Sequence, residues 1–134
     1  MPDNGGRTMK TGVMHLFKLA VVAVLLSGCS SSGYTHISQE KAMQIMREET
    51  GYLIVDVRRP DEFAEGHIAG AINVPNETIE SETPELLPDK EQVLLVYCRT
   101  GRRSREAAGK LAGMGYTAVY DIGGIRTWKG GIEN

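Results

Sequence analysis

Only two cysteines, Cys29 and Cys98, occur in this chain of 134 residues. That is too few for the disulfide framework that staples many small secreted domains. Histidine is scarce too, with His15, His36 and His67 alone. So few imidazoles and thiols speak against a metal centre on ligand count, and no cofactor is implied. The apolar run Leu19–Leu26 is eight residues long, well short of the ~20 a helix needs to cross a bilayer. Charge of one sign is lacking as well: 15 Lys and Arg stand against 17 Asp and Glu, a net of −2. Nothing in that balance predicts nucleic-acid binding. No repeat, low-complexity domain or oligomer signal is visible, so one compact monomeric domain is expected from an ordinary composition with 24% charged residues.

The first segment stands apart from that domain. Lys10 and Lys18 precede the apolar run, the pattern of an export signal. Leu26-Ser27-Gly28-Cys29 resembles the lipobox of bacterial lipoproteins, which implies cleavage before Cys29 and lipidation of that residue. A core helix or an uncleaved anchor is the alternative, and Met9 is an alternative start. The expected organisation is a signal peptide over 1–28, a tether over 29–33 and a domain over 34–134. Acyl chains on Cys29 would anchor the protein to a membrane, stably if more than one is attached. Ser30-Ser31-Ser32-Gly33 reaches on the order of 10–12 Å, so the domain would ride close to the surface. Ser30 is not the aspartate that marks inner-membrane retention, so in a double-membraned cell outer-membrane attachment facing the periplasm is expected. Loss of Arg7, Lys10 and Lys18 against Asp3 alone would leave the remainder more acidic than the whole. Cys98 would then be the sole thiol, which argues against a thioredoxin-like oxidoreductase and leaves it open to oxidation.

The chain is organised around Cys98-Arg99-Thr100-Gly101-Arg102-Arg103. Apolar Val93-Leu94-Leu95-Val96-Tyr97 precedes it and a helix-like segment opens at Ser104, an order that reads as strand, tight loop, helix. Inward-turned loop amides and a helix N-terminus hold negative charge without a metal. Such surroundings lower a thiol from its usual pKa of about 8.5, and Arg99, Arg102, Arg103 and Arg105 supply cations. Gly101 suits a position needing positive φ or close approach to a ligand. Cys98 is thus a candidate thiolate nucleophile facing an anionic substrate; the plainer alternative is a small apolar residue in the core.

Around the loop, strands and helices alternate. Tyr34–Ile37 reads as a short strand, Ser38 as the cap of a helix ended by Gly51, and Tyr52–Val57 as a buried parallel strand. Asp56 and Arg58 fall at its carboxyl end, where open α/β sheets bind ligands. They read as a structural pair, with support of the loop as the alternative. Pro60 suits the first turn of a short helix. His67 reads as structural rather than as a base. Ala71–Val74 is a further strand, and Ala107, Ala108, Leu111 and Ala112 give the next helix a small-residue face. Tyr116–Tyr120 is the last strand candidate, and Gly123-Gly124 leads to a short helix bearing Trp128, a ring expected to cap the core edge. This alternation predicts a three-layer α/β/α sandwich with a mostly parallel sheet.

Cys98-Arg99-Thr100-Gly101-Arg102-Arg103-Ser104 closely resembles the active loop of rhodanese-like sulfurtransferases. Ile54-Val55-Asp56-Val57-Arg58, with Glu62-Phe63, Gly66-His67-Ile68 and Gly70-Ala71-Ile72-Asn73-Val74-Pro75 after it, resembles that family's N-terminal motif. Gly123-Gly124-Ile125 and Trp128 resemble its C-terminal one. The resemblance implies a five-stranded rhodanese fold. It also implies sulfur transfer from a small anionic donor such as thiosulfate, through a Cys98 persulfide, to a thiol or cyanide. Arg99 and Arg103 are the candidates for donor binding, Thr100 to Ser104 for the amide cradle, and Arg102 for a solvent-facing member. Two rivals are a cysteine phosphatase or arsenate reductase and a non-catalytic sulfur-carrier or binding module. Phosphatase-type loops carry their essential arginine after five intervening residues, where this chain has Ser104.

Overall fold

Strand and helix succeed one another along the residues that the computed structural model describes, 33–134. The expected signal segment, Cys29 and the three serines after it lie outside the described residues. Strand β1 (Thr35–His36) runs into α1 (Gln39–Glu48), whose first turn is capped by the Ser38 hydroxyl accepting from the Lys41 amide at 3.1 Å. The helix ends at Glu48, ahead of Gly51, which turns the chain with a φ of 79° into β2 (Tyr52–Asp56). Pro60 opens α2 (Pro60–Glu65). Short β3 (His67–Ile68) and β4 (Ile72–Asn73) follow, then a 3-10 turn at Asn76–Thr78. The long elements are β5 (Val93–Cys98), α3 (Arg102–Gly113) and β6 (Val119–Gly124). A 3-10 turn at Ile125–Thr127 and β7 (Ile132–Glu133) complete the chain.

Five strands form one sheet in the order β1-β6-β5-β2-β4, every neighbouring pair parallel. The period of two along a strand decides which layer each side chain joins. On central β5, Leu94, Val96 and Cys98 share a core with Ala107, Ala108 and Leu111 of α3. Leu95 and Tyr97 face the other way, into a core holding Ala42 of α1, with Ile45, Phe63 and Trp128 packed against it. The result is the expected three-layer sandwich. The small side chains of α3 let it lie close on the sheet, and its N-terminus falls beside the carboxyl end of β5.

Two expectations about the end of the chain require correction. The last strand of the sheet is Val119–Gly124, not Tyr116–Tyr120. Tyr116 instead buries its ring and donates its hydroxyl to the Leu87 carbonyl, and the Thr117 amide bonds Lys90, so this stretch ties down the preceding loop before pairing begins. The segment before Trp128 is a single 3-10 turn, with Trp128 just beyond it. A second sheet also forms, in which β3 pairs antiparallel with β7.

Candidate active site

Cys98 is the last residue of β5, and Arg99 to Gly101 carry the chain directly into α3. Gly101 adopts φ 109° and ψ −13° at the helix cap, a left-handed conformation that L side chains rarely take. That turn brings its amide back to the sulfur: Gly101 N–H donates to Cys98 Sγ at 2.9 Å. The amides opening α3 have no intrahelical acceptor, so the positive end of the helix lies next to the same sulfur. Cys98 is only 1% exposed, while Arg99, Thr100 and Arg102 stand in solvent.

Beside the loop is an open cleft of about 530 Å³, walled by Arg59, Asp61, Glu62 and Glu65 on one side and by Arg99, Thr100, Arg102 and Arg103 on the other. Cys98 is not among the residues that wall it. Four arginines and three carboxylates make the cleft mixed in charge, and Arg103 is not a free cation. Its Nη1 and Nη2 donate to the two oxygens of Glu62 at 2.7 and 3.0 Å. That pairing brings the Glu62 carboxyl down to about 2. The reciprocal bond raises Arg103, against partial burial and with a smaller contribution from Cys98. Glu62 is thus a site residue that sequence reasoning passed over, its one signal being its place in the Glu62-Phe63 motif.

Behind the loop, Ser104 faces away from the cleft. Its hydroxyl lies 2.5 Å from Asp121 Oδ1 and 3.0 Å from the Gly101 carbonyl. Asp121, fully buried on β6, also accepts from the Gly123 amide at 3.1 Å and lies 2.8 Å from His36 Nδ1. Ser, His and Asp meet here, but in the wrong order for a catalytic triad, since the carboxylate stands between the other two. They hold β1, β6 and the start of α3 in register. Asp121, too, was not singled out from sequence. Gly124 of the C-terminal motif has a steric reason: a Cβ there would lie 2.2 Å from the Arg99 oxygen.

Asp56 and Arg58 form a buried ion pair. Arg58 Nε and Nη2 reach Asp56 at 2.8 to 3.1 Å, and Nη2 also donates to the Gly66 carbonyl at 2.6 Å. Tyr97 donates to Asp56 Oδ2 at 2.6 Å and accepts from the Ile68 amide. Burial, which opposes the charge of Arg58, is outweighed by Asp56, so its pKa is raised; burial and Asp56 push the Tyr97 hydroxyl up. None of the three lines the cleft. His67 stacks on Phe63 and bonds its carbonyl at 2.9 Å. Among the described residues, no three His, Cys, Asp or Glu side chains converge as a metal site would require.

A parallel α/β sandwich that presents a cysteine at the end of its central strand, under the N-terminus of the next helix, defines a class of enzymes that work through a loop thiol. The chain belongs to the rhodanese-like domain family, whose sequence profile matches residues 38–130. It is 39% identical over 72 residues to the thiosulfate sulfurtransferase PspE of Escherichia coli K12, covering 54% of this chain and 69% of that protein. To the thiosulfate sulfurtransferase GlpE of Pseudomonas putida it is 34% identical over 99 residues, or 73% and 87% of the two chains. Among solved structures it resembles a rhodanese with anions from Escherichia coli, with a TM-score of 0.57 and 34% identity over 62% of this chain and 98% of that one. A rhodanese-related protein from Thermoplasma volcanium gives a TM-score of 0.63 at 26% identity, over 75% and 98%. The chain is accordingly an enzyme, a sulfurtransferase of the rhodanese type.

Proposed function

We propose that the chain carries sulfane sulfur from a small anionic donor such as thiosulfate to a thiol or cyanide by way of a persulfide on Cys98. The Cys98 thiolate attacks the outer sulfur of thiosulfate and forms a new S–S bond. The donor's own S–S bond breaks, and sulfite leaves with the electron pair. Cyanide or a thiolate then takes the outer sulfur and returns Cys98 to the thiolate. No external oxidant or reductant is needed.

The observation that carries this reading is the Gly101 N–H directed at Cys98 Sγ from 2.9 Å. Such an amide, with the N-terminus of α3 behind it, stabilises negative charge on the thiolate and on the persulfide that replaces it. Arg99 and Arg102, exposed on the cleft wall, suit the sulfonate end of the donor. The phosphatase alternative fits less well, because Ser104 occupies the place of the oxyanion-binding arginine and is turned inward to Asp121.

The deciding experiment is intact mass of the purified protein after thiosulfate, before and after cyanide, with Cys98→Ser alongside. A gain of one sulfur, removed by cyanide and absent from the variant, is expected. No gain from reduced, folded protein would overturn thiosulfate as the donor and shift the reading toward a carrier loaded by another protein or thiol.

The cell-envelope location belongs to the same proposal: Leu26-Ser27-Gly28-Cys29 supports lipidation at Cys29, and Ser30 supports outer-membrane attachment facing the periplasm. Replacing Cys29 by Ser should release the protein into the soluble fraction. Continued membrane association would rule out the lipid anchor.

A further inference from the structure

Four guanidinium groups line the cleft beside the Cys98 loop, and two of them are already matched. Arg59 forks to Asp61 on the exposed rim, at 3.0 and 3.1 Å, where the side chains are 60% and 65% exposed. Arg103 forks to Glu62 in the wall, where the two are only 24% and 14% exposed. A rim pair yields readily to solvent and salt, whereas a two-pronged pair in a partly buried wall keeps its geometry. Glu62 is further fixed because its carboxylate accepts the Arg59 amide at 3.2 Å, closing the first turn of α2. Arg103 therefore meets an incoming anion with its charge already matched and one N–H on each terminal nitrogen given to Glu62.

Resting on the sulfur-transfer reading above, we infer that Glu62 is a specificity-determining residue that, by holding Arg103, weakens binding of dianionic donors such as thiosulfate relative to monoanionic donors such as alkyl persulfides. With an alkyl persulfide the chemistry balances in the same way. The Cys98 thiolate takes the terminal sulfur, the donor S–S bond breaks, and an alkyl thiolate leaves with the electron pair. Coulomb energy is linear in ligand charge. Releasing the Arg103 charge toward the ligand therefore helps a dianion by twice the free energy that it helps a monoanion, so the two fold-changes stand as a square to its root.

The test is Glu62→Gln, which keeps the shape of the side chain, assayed with thiosulfate and with the persulfide of 2-mercaptoethanol, cyanide being the common acceptor. The KM for thiosulfate should fall roughly three- to ten-fold, the effect of one unmasked cation in a partly exposed cleft. The KM for the alkyl persulfide should fall only by about the square root of that factor, and kcat should move less than KM for both. In an Arg103→Gln background the Glu62 substitution should lose most of its effect, keeping only the direct repulsion between its own charge and the donor. An unchanged or raised KM for thiosulfate, an equal shift for both donors, or a shift of undiminished size in the Arg103→Gln background would overturn the inference. If the unsubstituted protein gains no sulfur from either donor, the sulfur-transfer reading fails and takes the inference with it. Sulfur gain with no change in donor preference would sink the role of Glu62 alone.

Discussion

Gly124 faces the Arg99 carbonyl so closely that a Cβ built on it would lie 2.2 Å from that oxygen and 2.7 Å from Thr100 Cα. The end of β6 and the Cys98 loop are thus fitted backbone to backbone, with the Arg126 amide bonding the same carbonyl at 3.3 Å. Gly124→Ala should force the loop outward, because the clash is with main chain and no side-chain rotation relieves it. Overpacking of this kind costs about 1–3 kcal/mol, read as a lowered urea midpoint. Cysteine persulfide formation should suffer more, by up to roughly a hundredfold for a shift approaching 1 Å, read from the rate of sulfite release. A variant that loses stability but keeps its rate would show that the loop does not depend on this contact.

Ser104 and Asp121 support the loop from behind. Ser104→Ala should remove one of the donors around a fully buried carboxylate, leaving the Gly123 amide and His36 at its oxygens. A loss of about 1–3 kcal/mol follows from a buried acceptor left short of a partner, measured by denaturant unfolding. Sulfite release should slow as well, because the Gly101 carbonyl loses its contact with the hydroxyl. Neutral stability would mean that solvent reaches Asp121 in the variant.

What was legible in the sequence is what lies close together along it. Cys98, Gly101 and the arginines fall within one stretch, and the run before them has the character of a buried strand, so the loop was readable without coordinates. The partners of that loop were not. Glu62 stands 41 residues from Arg103 and Asp121 stands 17 from Ser104, and no local period connects them. The last strand was misplaced for a related reason. Tyr116 and Thr117 have strand propensity, yet they serve the loop at Leu87 to Lys90, while Gly123 and Gly124, poor strand formers, end β6 because Gly123 takes a φ of 89° and only a residue without a side chain fits at 124 beside Arg99. The β3–β7 pair unites segments of two residues each, too short to leave a pattern.

The Arg103–Glu62 pair should leave a signature in acid. The guanidinium forks hold the Glu62 carboxyl at about 2, below its ordinary 4.5. As pH falls, the unfolded chain takes up this proton first. The pair therefore contributes its full stability above pH 4.5 and loses that contribution as pH falls toward about 2. The stability difference between the protein and Glu62→Gln should be flat at neutral pH and shrink below pH 4.5, followed by thermal unfolding across a pH series. A difference that stays constant down to pH 2 would contradict the depressed carboxyl.

Tyr97 packs on the face of the sheet opposite to Cys98. Its hydroxyl donates to Asp56 Oδ2 at 2.6 Å and accepts from the Ile68 amide at 3.0 Å, while Arg58 lies over its ring at 5.8 Å. Tyr97→Phe keeps the ring and its packing, yet it strips Asp56 of one donor and leaves the buried Ile68 N–H without its acceptor. A buried amide in that state costs about 1–3 kcal/mol, so the urea midpoint should fall with the m-value unchanged. Asp56 would still hold Arg58 through its remaining forks, and neither residue lines the cleft. Sulfur transfer by the folded variant should therefore stay near the starting rate. A large loss of rate at full occupancy of the folded state would instead place the Asp56–Arg58–Tyr97 group in communication with Cys98, one residue along β5.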